Sequence, residues 1–160
     1  MTENLFIGGL FSASMVTLTP KNWKNHRARI AGEQFKLDAL VQYTRGFVTF
    51  NDNKFGTVLR ITDAGAIYVA RVELQEIRHE PENLLMGGWI EYDPNKITRL
   101  AEEHLRFSPR LVEPQRDGQY ALIWDGPYQS RNFQNMGNYH LRPVEVGKKG
   151  ILRAKVSGCL

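Results

Sequence analysis

The sequence holds a single cysteine, Cys159, among 160 residues. That excludes a disulfide framework and any zinc site built from several thiolates of one chain. Histidine is sparse as well. His26, His79, His104 and His140 stand far apart, without the close pairs that mark a metal site. The glycine pairs Gly8-Gly9 and Gly87-Gly88 belong to no Gly-x-Gly-x-x-Gly run and precede no phosphate-loop lysine, so neither a metal nor a cofactor is expected. Low-complexity stretches are absent. The most apolar segment, Leu5 to Val16, has only Glu3 before it and so lacks the basic flank of a secretory signal. It is also far short of the ~20 residues needed to span a bilayer. With two glycines and Ser12/Ser14 inside it, it reads as a buried strand or hairpin. No membrane partner is expected, and the lone thiol favours a reducing cytoplasm.

What is present is an ordinary globular composition: 42% hydrophobic, 24% charged and 11% aromatic residues. That apolar content excludes general disorder. The length suits one compact domain over 1–160. A second partition also stays open: a β meander with its N-terminal segment over 1–80, and a helix plus a C-terminal β unit over 81–160.

Strand signals dominate. Leu37, Ala39, Val41 and Tyr43 alternate with Asp38, Leu40, Gln42 and Thr44, and Gly46 to Phe50 follow before the Asn51-Asp52-Asn53 turn. Thr57 to Thr62 and Ile67 to Leu74 flank Asp63-Ala64-Gly65, a turn with glycine where positive φ is wanted. Trp89 to Tyr92, Tyr120 to Trp124, His140 to Val144 and Ile151 to Val156 are further strands, with Asp125-Gly126-Pro127 as a turn and Gln129 to Asn138 as a long polar loop. Two helices are suggested. Thr19-Pro20 resembles a cap followed by a first-turn proline, opening a short basic helix to Ile30 that Gly32 would stop. Asp93-Pro94 repeats the signature, with Ile97, Leu100, Ala101, His104 and Leu105 on one face, which predicts an amphipathic helix at about 94–107. The fold class expected is mainly β (α+β).

Gly56 to Arg71 runs strand, tight turn, strand, and Leu111 to Trp124 repeats this around Arg116-Asp117-Gly118, with a closing strand at Tyr139 to Val144. That outline resembles small SH3-like or Tudor-like barrels, which implies bent antiparallel sheets closing over a small core.

No catalytic signature emerges. His-Leu-Arg occurs at His104 to Arg106 and again at His140 to Arg142, but two-histidine phosphoesterases carry Ser or Thr where these copies have Arg. Cys159 lies next to the chain end, where a nucleophile lacks a rigid setting, and Glu102-Glu103 read as a solvated helix face.

Charge is more informative. Residues 1–32 hold four basic residues against one acidic, residues 126–160 six against one, and residues 33–125 eleven against fifteen, within a net charge of +4. The basic ends also carry rings. Lys21, Trp23, Lys24, Arg27 and Arg29 form one cluster; Tyr128, Arg131, Phe133, Arg142, Lys148, Lys149 and Arg153 form the other. Cations for phosphates interleaved with rings for bases are what nucleic-acid binding requires. The sequence therefore points to a non-catalytic basic protein contacting nucleic acid or a nucleic-acid-processing enzyme. A protein–protein module, such as a phage- or plasmid-type inhibitor or assembly subunit, is the first alternative. The second is an enzyme or small-ligand binder, which a convergence of His104 or His140 with Arg142 and a carboxylate would favour.

Overall fold

The computed structural model describes residues 16–44, 54–79, 88–114, 116–128 and 135–156. The strand expected over Leu5 to Val16 lies almost wholly outside these residues, as do the Asn51-Asp52-Asn53 turn and the stretch from Gln129 to Gln134. After a 3-10 turn at Trp23–Asn25 come helix α1 (Arg27–Gln34) and strands β1 (Leu40–Thr44), β2 (Lys54–Ile61), β3 (Ile67–His79), β4 (Gly88–Val112), β5 (Ala121–Tyr128), β6 (Asn135–Pro143), β7 (Glu145–Val146) and β8 (Leu152–Val156). A second 3-10 turn, Lys148–Gly150, joins the last two strands.

The protein is mainly β, as its alternation predicts. Strands β1 to β6 pair with their neighbours in chain order, all antiparallel, and β6 returns to β1 to close a six-stranded barrel. A barrel this narrow is filled by side chains. Val41, Tyr43, Val58, Val69, Phe107 and Trp124 belong to that core. The ring of Tyr43 meets those of Phe107 and Tyr139 at centroid distances of 5.2 and 5.5 Å.

Helix α1 closes one mouth of the barrel, adding Ile30, Ala31 and Phe35 to the core. Its backbone at Arg27 lies so close to Gly65 that a Cβ there would stand 3.0 Å away, and Gly65 has φ +82. Both facts require glycine at that turn. The Gly65 carbonyl accepts the indole N–H of Trp124 at 2.7 Å, which ties the turn to the far wall. Thr19 does not cap a helix as expected; it closes a turn over Pro20 to Asn22. Asn22 N–H donates to Thr19 Oγ1 at 3.1 Å, and Thr19 N–H donates to Asn22 Oδ1 at 2.7 Å. The helical segment behind this turn departs from expectation: a 3-10 turn comes first, and the α-helix runs through Gly32. Glycine in a helix interior costs only about 1 kcal/mol, which burial of Ile30, Ala31 and Phe35 offsets.

The helix expected at about 94–107 is not there; these residues lie within β4, a strand of 25 residues. The Asp93-Pro94 signature has another outcome of the same chemistry. Asp93 Oδ1 accepts the N–H of Asn95 at 2.9 Å, a local turn at a register break where Leu74 pairs with Ile97 but Glu76 with Tyr92. Beyond it, Leu105 and Phe107 turn to the core while Arg106 stays at the wall. Pairing with β3 and β5 overrides the local helical pattern. Asp125-Gly126-Pro127 likewise stays inside β5, at a register shift between β5 and β6, rather than ending the strand.

The first part of β4 leaves the barrel with the end of β3 and pairs on its other side with β8, which pairs with β7. This four-stranded flap covers part of the barrel's outside. Ile90, Tyr92, Leu152 and Ala154 pack there with Phe55 and Leu40 in a second hydrophobic cluster. Burial and the nearby Glu76 carboxylate push the Tyr92 phenol well up, so it stays neutral. A mostly apolar cavity of ≈ 240 Å³ opens between the end of α1 and the flap, lined by Phe35, Leu40, Val41, Val144 and Leu152 among others.

Candidate nucleic-acid interface on the barrel wall

Side chains directly opposite one another on neighbouring strands share a face at ~5 Å spacing. One such row crosses four strands. Arg60 of β2 pairs with Tyr68 of β3, Tyr68 with Arg106 of β4, and Arg106 with Tyr128 of β5. The neighbours Ile67, Val69, Leu105 and Phe107 belong to the core or pack on it, so alternation turns Tyr68 and Arg106 outward. Cations and rings therefore alternate along the row. The Arg60 guanidinium carbon lies 4.1 Å from the Tyr68 ring centroid, and that of Arg106 lies 5.3 Å from the Tyr128 centroid. Contacts of this kind hold a guanidinium flat against a ring at ~0.5–1 kcal/mol each when exposed.

The next outward row on the same strands carries Thr57, Ala70 and His104. Arg99 reaches the Thr57 hydroxyl at 3.5 Å. This face thus combines three arginines, two tyrosines, a histidine and small residues. None of these row positions is acidic. The described acidic residues of the middle segment are mostly elsewhere: Asp38, Asp63 and Asp117 in turns, Glu33 on α1, Glu73, Glu76, Glu91 and Asp93 on the flap and its root.

A second outward group occupies the adjoining wall. Thr44 pairs with His140, His140 with Asp125, and Asp125 with Ser108, one row across β1, β6, β5 and β4. The Arg110 Nε–H donates to Asp125 Oδ2 at 2.8 Å, and the carboxylate side chain is 12% exposed. Burial holds the His140 imidazole below its ordinary range; Asp125 opposes this, while Arg110 and Arg142 add to it. His140 thus lies opposite the Asp125 carboxylate, with Arg142 two residues along β6, whereas His104 sits apart on β4 opposite Ala70.

The cations and rings singled out from sequence take varied positions. Tyr128 joins the first row and Arg142 the second group. Trp23 packs against the core, with Lys24 Nζ and the Arg27 guanidinium 5.8 and 5.7 Å from its centroid, so it anchors the segment leading into α1. Arg29 is exposed and donates to His26 Nδ1 at 2.8 Å; Lys21 is exposed in the preceding turn. Lys148 and Lys149 are exposed on the 3-10 turn of the flap. Arg153 stands in register between Glu145 and Glu91, its guanidinium carbon 4.4 Å from the Trp89 centroid. Arg131 and Phe133 lie outside the described residues. Among the described residues, the cations of the two basic ends are spread over the lead into α1, the barrel wall and the flap. The structure adds Arg60, Tyr68, Arg99 and Arg106, which an average over the acidic middle segment conceals.

Among the described residues no helix is long and apolar enough to cross a membrane, and no three His, Cys, Asp or Glu side chains gather around a common point. Comparison with family models, curated proteins and solved structures finds no match.

Proposed function

We propose that this protein is a non-catalytic binder of single-stranded nucleic acid, which it holds across the barrel wall of β2 to β5. The observation that carries this reading is the alternating row Arg60, Tyr68, Arg106, Tyr128. Tyrosine rings offer planes on which bases stack, worth about 1–3 kcal/mol per base, and arginines between them meet the backbone that joins those bases. Arg99 and His104 extend the basic face beside the row. A double helix keeps its bases stacked on each other, so ring platforms of this kind serve an unpaired strand. The reading is consistent with a cytoplasmic setting.

The test is fluorescence anisotropy of short labelled DNA and RNA single strands across a salt series. Three phosphate contacts, from Arg60, Arg99 and Arg106, predict a slope of log affinity against log salt of roughly −2. Duplex of the same length should bind more weakly. Absence of binding at low salt, or a flat salt response, overturns the proposal.

A further inference from the structure

We propose that Arg110, Arg142 and His140 form a site for a phosphate-monoester dianion, with Asp125 holding Arg110 in position. The site differs from the ring-bearing row in what its cations face. Arg110 pairs with Ile123 on β5, two residues before Asp125, and Arg142 lies on β6 two residues beyond His140, the partner of Asp125. The two arginines therefore stand on the strands flanking β5, about two strand spacings or ~10 Å apart at their Cα atoms. That is within the combined reach of two guanidiniums over a half-buried isoleucine. His140 occupies the neighbouring row beside Asp125, and both guanidiniums act electrostatically on its imidazole. Arg142 shares the outward face of β6 with His140, and Arg110 holds the carboxylate that lies opposite that ring.

The charge balance favours an anion. Asp125 supplies the one carboxylate of the group, and Arg110 neutralises it at 2.8 Å. Arg142 is exposed and adds a positive charge that this pair does not offset. The imidazole contributes an N–H donor while neutral. From β1 the group is faced by Thr44 and Gln42, both uncharged and buried. A phosphate monoester brings about −1.5 to −2 charges and three terminal oxygens at neutral pH, which matches donors arriving from three sides. A backbone phosphodiester has one charge and two free oxygens, with chain on both sides, and suits the open row better. The chemistry is shared by a free phosphomonoester and by the terminal phosphate of a strand.

Titration of the labelled full-length chain with inorganic phosphate, followed by NMR, tests the site without any nucleic acid. The expected result is saturable shifts at Arg110, Asp125, His140 and Arg142, with the imidazole midpoint rising on binding because the dianion favours imidazolium. Arg142→Gln should weaken phosphate roughly tenfold or more, as loss of a charge-assisted contact does. Its side chain is exposed, so the variant keeps the wild-type unfolding midpoint. Two further arms separate the sources. Tighter binding of a 5′- or 3′-phosphorylated strand than of its hydroxyl counterpart assigns the site to strand ends. Phosphate binding without that gain assigns it to a free phosphomonoester. Absence of saturable phosphate shifts at these four residues overturns the site, whether or not hydroxyl-ended strands bind the tyrosine row; failure of those strands alone would instead count against the strand-binding reading.

Discussion

Two stretches of the barrel's outer wall share strands β4 and β5 and the same lattice of side chains, yet use their arginines differently. On the wall of β2 to β5, Arg60 and Arg106 lie against tyrosine rings. On the wall of β4, β5, β6 and β1, Arg110 is bound to a largely buried carboxylate, and an imidazole lies beside it. An arginine stacked on a ring presents a plane. One on a carboxylate is held in place by it. The first arrangement suits an extended strand with many weak contacts, the second a compact anion with few directed ones.

The largest effect separating the walls is expected from Tyr68→Ala combined with Tyr128→Ala. Two lost stacking platforms at about 1–3 kcal/mol each should weaken single-strand binding roughly thirtyfold or more. Phosphate shifts at His140 should be unchanged. A double variant that binds oligonucleotides like wild type would erase the distinction between the walls.

A smaller, structural effect belongs to the second wall. Arg110→Ala leaves the Asp125 carboxylate without its guanidinium and should cost about 1–3 kcal/mol in urea unfolding. Arg110→Ala with Asp125→Asn should recover much of that loss, because the isolated charge is gone. Equal stability of Arg110→Ala and wild type would show that the pair contributes nothing.

The smallest effect is one of pH. The His140 midpoint is lowered in the folded protein, so the unfolded chain takes up its proton first as pH falls. The stability tied to the neutral ring is complete above the ordinary histidine midpoint of about 6.5 and is lost as pH drops through the lowered one. Urea unfolding between pH 7.5 and 5 should therefore fall more steeply for wild type than for His140→Asn. Parallel profiles would mean that the imidazole is not held neutral by its surroundings.

Much of the barrel was legible in the sequence. Alternation at Val41 and Tyr43, and at Ile67 and Val69, places core and wall residues correctly, and Asp63-Ala64-Gly65 forms the expected turn. The interface was not, and the reason is specific. Arg106 follows a convincing helical pattern from Ile97 to Leu105, and only pairing with β3 and β5 makes it a wall residue between two tyrosines. Its partners, 38 residues before it and 22 after it, cannot be found by local periodicity. Charge averaged along the chain misleads in the same way. Several acidic residues of the middle segment lie in turns and on the flap, while Arg60 and Arg106 fall in one row of the barrel wall. Trp23 shows the converse: a ring among cations looks like a stacking platform in sequence, but in the fold it anchors the lead into α1.

The end of the flap has a consequence for how molecules meet one another. A sheet grows by adding strands to an unpaired edge, and a long flat edge invites a second copy to do so. The closed barrel uses both edges of its strands. The flap's outermost strand, β7, offers only Glu145 and Val146, after which the chain turns at Gly147, whose N–H donates to the Ile151 carbonyl at 2.7 Å. As a template two residues long, one of them charged, β7 is too short by itself to seed edge-to-edge stacking, although Val146 is 69% exposed.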